Sequence, residues 1–115
     1  MRRKGFKGRT EKKALSKSKG VVKLYDEIQS TYADILQSDS EIVEIRCNVF
    51  LDGLELGEYT SDFVCAKVNG DVLIAECVQR KHLTKPMTVK MLDASRKYWL
   101  RRGVADWRLI IDAEK

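Results

Sequence analysis

The chain contains one proline, one histidine and three cysteines in 115 residues, and each scarcity removes a class of chemistry. A single histidine, His82, cannot supply the ligand clusters of common zinc sites, and Cys47, Cys65 and Cys77 lack CxxC spacing. Three is also an odd number, so a disulfide framework is not expected. The cysteines read as small buried hydrophobes in a reducing, intracellular setting, and a cytoplasmic location is expected. No apolar run approaches the ~20 residues of a membrane span. The basic start lacks the apolar core of a secretory signal, so neither membrane nor export is expected. Gly-rich phosphate loops and nucleophile elbows are missing too.

What is present is an ordinary globular composition, 43% hydrophobic and 34% charged, of a size for one modest core. The charge is unevenly placed. Residues 1–23 carry ten Lys/Arg against Glu11 alone, a local balance of +9 within a total of +5. Such an arm suits phosphate backbones through counterion release. Arg2, Arg3, Lys4, Lys7, Arg9, Lys12 and Lys13 are its candidate DNA contacts; a solubilising tail, or one that meets anionic lipid or acidic protein, fits the same charge. With so little apolar content, residues 1–20 are predicted to be disordered when free, leaving 21–115 as one domain.

Residues 59–78 organise the rest. Two runs rich in Val, Ile, Phe and Cys flank Asn69-Gly70, a strong hairpin signal. Both runs are apolar on both faces, which places the hairpin centrally in its sheet. Asp62 and Glu76 are out of character there, because burying a carboxylate is costly. A two-residue loop would set Asp62 opposite Cys77. A three-residue loop, with Gly70 left-handed, sets it opposite Glu76 on one face. Two facing acids repel unless a cation or shared proton joins them, so the functional reading is a site for a hard divalent metal such as Mg²⁺. The structural alternative is that both reach water or a basic partner near the strand ends.

Around the hairpin, apolar spacing predicts a helix over 22–36, through Val22, Tyr25, Ile28, Tyr32 and Ile35. A strand follows over 41–51. Residues 79–85 are polar and basic, and Arg80, Lys81, His82 and Lys85 are candidate phosphate contacts. Pro86 starts a second helix running to about Arg102, with Met87, Met91, Ala94 and Tyr98 toward the core and Gly103 closing it. Residues 107–112 form a last strand. Trp99 and Trp107 read as core or core-edge residues. The expected architecture is α/β (α+β) in the order αβββαβ, a central mixed sheet flanked by helices.

That order, with SDSEIVEI at 38–45, SDFV at 61–64, AECV at 75–78, LTKP at 83–86, KML at 90–92, RKYWLRRG at 96–103 and ADWRLI at 105–110, resembles the N-terminal endonuclease domain of TnsA. TnsA belongs to the PD-(D/E)xK, restriction-endonuclease-like superfamily. The resemblance implies Mg²⁺-dependent hydrolysis of DNA, with Asp62 as first metal ligand and Glu76 as first letter of the (D/E)xK triplet. The motif lysine falls on Val78, and the helix-borne glutamate aligns with Gln29. Lys81, Lys85 and Lys90 are the candidates for a relocated lysine. The resemblance thus implies a DNA-engaging protein of transposon or phage context, partnered by a transposase or phage component, with weakened or lost cleavage. An active endonuclease and a protein-binding regulator on the same frame are the alternatives.

Overall fold

The computed structural model describes residues 2–3, 11–18, 21–54, 57 and 59–112. It is a mixed α+β fold. Strands β1 (Arg2–Arg3), β2 (Glu11–Ala14) and β3 (Val21–Leu24) precede helix α1 (Glu27–Ser38). Then come β4 (Ile42–Leu51), β5 (Tyr59–Lys67), β6 (Val72–Val78), a 3-10 turn (Arg80–Thr84), α2 (Pro86–Arg101) and β7 (Asp106–Ile111). From α1 onward this is the expected αβββαβ order. Among the described residues no helix is long and apolar enough to cross a membrane.

The central hairpin takes the three-residue loop. Ala66 pairs with Val72 and Phe63 with Ala75, while Lys67 N–H donates to Asp71 O and Gly70 sits at φ +90°. A φ near +90° costs glycine least of all residues, so Gly70 favours this register. β5 is central: β4 runs antiparallel along one edge, and the other edge is shared by β6 and β1. β7 lies parallel to β6, as its connection through α2 requires. The Lys67–Asp106 ion pair ties the hairpin end to β7 and holds the Asp106 carboxyl below its usual range.

The two helices cover opposite faces. Leu73, Ala75 and Cys77 of β6 join Phe63 and Cys65 in a cluster with Ala33 and Leu36 of α1. Glu76, between them in sequence, meets α2 through Ser95 instead. The buried line of α2 is Met91, Leu92 and Ser95; Met87, expected in the core, is about half exposed.

One expectation for the first quarter is corrected. The first helix starts at Glu27 and not at residue 22, because the Asp26 side chain accepts the Gln29 N–H as N-cap and Val21–Leu24 is extended with Val22 and Leu24 alternately buried. Its buried line is therefore Gln29, Ala33 and Leu36, one position round from the predicted stripe, and Ile35 faces outward. The disorder expected of residues 1–20 falls largely outside the described residues; among those described, β2 pairs with β3, and Leu15 is buried to 4% exposure within the core cluster. Lys13 Nζ is tied to Asp34 at 3.0 Å and to Ser30, and Lys17 Nζ donates to Leu36 O and Asp39 O at the end of α1. These lysines lose freedom to α1, which composition alone does not reveal.

Candidate functional site: a buried carboxylate pair beside an apolar pocket

Asp62 and Glu76 converge, where β6 parts from β5. The ladder between the strands ends at Phe63 and Ala75, and beyond it the side chains replace the backbone bonds. Glu76 Oε1 accepts the Asp62 N–H at 2.8 Å, and Asp62 Oδ2 accepts the Cys77 N–H at 2.7 Å. Asp62 is 1% exposed and Glu76 0%.

The rest of the Glu76 carboxylate is also engaged. Oε2 accepts the hydroxyls of Ser61 at 2.8 Å and Ser95 at 2.5 Å. Each hydroxyl in turn accepts an indole N–H, Ser61 from Trp99 at 2.9 Å and Ser95 from Trp107 at 3.0 Å. An indole nitrogen only donates, so each serine proton is directed onto Glu76. Both tryptophans are therefore core-edge residues, as expected, with a polar duty as well. Burial first, and the neighbouring Asp62 second, raise the Glu76 carboxyl to about 7. The serine and backbone donors pull the other way and lose.

Gln29 joins this site, fully buried. Its Nε2 donates to Asn48 Oδ1 at 2.9 Å and to Asp62 O at 3.4 Å, and its Oε1 accepts the Tyr25 N–H. Asn48 interrupts β4 at φ +55°, a conformation asparagine tolerates, and donates to Lys23 O. Burial first, then Asp62, push the Cys47 thiol up to about 12; burial does the same for Cys65. The three cysteines are free thiols.

The donor set does not fit Mg²⁺. A hard octahedral cation needs several oxygens with open lone pairs and room for water. Here Glu76 Oε1 accepts one protein donor and Oε2 two, and Gln29 turns its amide oxygen to the Tyr25 backbone. Among the described residues no group of three or more His, Cys, Asp or Glu side chains is placed to hold a metal. Lys81, Lys85 and Lys90, the candidates for a relocated lysine, are exposed, and none is hydrogen-bonded or ion-paired to the acids. Ser61 and Ser95 carry no functional signal in the sequence. Ser95 could have been found, since it lies four residues after Met91 on the buried stripe of α2.

A pocket of about 360 Å³ opens at the C-terminal end of β6, next to the acids. Val78, Met87 and Met91 give it an apolar lining, Tyr25 and Tyr59 add rings, and His82 of the 3-10 turn reaches it. The first turn of α2 at its edge holds no acid and has no side-chain cap. Of the predicted DNA contacts, Lys12, Arg80, Lys81 and Lys85 are exposed, whereas Lys13 is ion-paired to Asp34. Lys4, Lys7 and Arg9 lie outside the described residues, as do the side chains of Arg2 and Arg3. Against known proteins, no family model matches this chain and no curated sequence is significantly similar to it.

Proposed function

We propose that this chain is a DNA-engaging protein on a restriction-endonuclease-like frame, similar to the TnsA endonuclease domain, in which phosphodiester cleavage is weakened or lost. The observation that carries this reading is the closure of the acid pair: the Glu76 carboxylate is spent on Ser61, Ser95 and the Asp62 N–H. A nuclease of this kind needs those oxygens for a metal that positions water and neutralises the phosphoryl group. DNA engagement is supported by the +9 balance of residues 1–23 and by the exposed Lys81 and Lys85 beside the pocket. A transposase or phage protein would be the natural partner of such a subunit.

Supercoiled plasmid with Mg²⁺ or Mn²⁺ tests it. Nicking is expected to stay at background for the native chain, Asp62→Ala and Glu76→Ala alike, while salt-dependent DNA binding is retained. Nicking that disappears in both alanine variants would establish an active endonuclease instead. Absence of DNA binding at low salt would favour a protein-binding regulator.

A further inference from the structure

We propose that the outward face of α2 is the docking surface for the phosphate backbone of duplex DNA. The inference rests on the DNA-engaging reading and adds to it which side of the fold meets the duplex. Charge is divided between the two helices, which cover opposite faces of the sheet. Residues 26–41, α1 with its flanks, hold five Asp/Glu and no Lys/Arg. Residues 81–102, which include α2, hold seven Lys/Arg against Asp93 alone, a local balance of +6. All seven are exposed. Lys13 and Lys17 turn the other way, onto Asp34 and the end of α1, so part of the basic first segment serves the acidic helix.

Along α2 the bases form a line. With about 3.6 residues per turn, Lys90, Lys97 and Arg101 fall within about 40° of one another, opposite the buried Met91, Leu92 and Ser95. The line is about 16 Å long at the helical rise, close to the axial rise of about five base pairs. The side chains of Lys90 and Arg101 have no ion-pair or hydrogen-bond partner among the described residues. Lys97 holds Asp93 at 2.9 Å, in an exposed pair that contributes little. This placement works against the helix itself. Lys85 is its N-cap, where the dipole disfavours a cation, and no acid in the first turn offsets it. Lys97 and Arg101 are like charges at i, i+4. A polyanion laid along the line relieves all of these together. A duplex is stiff and presents its phosphates as a continuous row, so a straight row of cations meets it with little ordering on either side.

The test is a salt titration of the full chain on a short duplex of mixed sequence. Lys90→Gln combined with Arg101→Gln should weaken binding and reduce the log–log slope by about two. Lys12→Gln combined with Lys23→Gln removes the same charge from the β2–β3 hairpin, where the two residues pair across the strands on the side that packs on α1. That variant should keep a slope near native. All four side chains are exposed, so the fold should be kept, and thermal melts of both variants check it. Equal losses in the two variants would reduce the effect to net charge and overturn the proposal, as would an unchanged slope in the α2 variant. Tighter binding to a single strand of the same length overturns it too and leaves the DNA-engaging reading standing. Binding to phosphatidylserine vesicles in place of DNA, or no DNA binding at low salt, removes both.

Discussion

Glu76 is the residue on which the site turns, because a carboxylate at 0% exposure must settle its charge with neighbours alone. Its carboxyl rises from 4.5 to about 7 in the folded chain, so between those values the folded state holds a proton that the unfolded state has released. Stability should then fall as pH rises through that window and level off above about 7. Glu76→Gln carries no titrating group, so the fall should shrink in a series of urea melts across the window; an unchanged slope in the variant would assign it elsewhere. Ser95→Ala removes one hydroxyl from Glu76 and leaves the Trp107 N–H without its acceptor. A cost of about 1–3 kcal/mol is expected, read from the denaturation midpoint. The same change should raise the Glu76 carboxyl further, since the Ser95 bond favours the ionised form.

Among the elements, the hairpin β2–β3 carries the least anticipated packing. It places Leu15 in the cluster that α1 and the main sheet share, although the residues around it are mostly Lys and Ser. Leu15→Ala should cost about 2–5 kcal/mol, as for a truncated core leucine, and thermal melts of the full chain would measure it. A change within a few tenths of a kcal/mol would mean that this hairpin contributes nothing to the core. The central hairpin was legible by contrast: Asn69-Gly70 and the two-faced apolar runs named its place, and Gly70 favoured the register that opposes Asp62 to Glu76. The helix over 22–36 was half legible. Val22 and Leu24 fit a helical stripe and a strand equally well, and the pairing with β2 decided between them.

For the whole molecule, the distribution of charge matters more than the net +5. DNA affinity should fall steeply with salt, and replacing Lys4, Lys7 and Arg9 by Gln should reduce the log–log slope by about three if each neutralises one phosphate. An unaltered slope would remove those three from the interface. Order and composition along the chain were enough to determine a mixed α+β fold with αβββαβ succession and a central acid-bearing hairpin, because periodicity and turn chemistry are local. Tertiary structure alone decided what the acids do. The serines and tryptophans that close around Glu76 come from β5, α2 and β7, far apart in sequence. Whether a buried carboxylate has lone pairs left for a metal depends on those partners, and no local pattern encodes them.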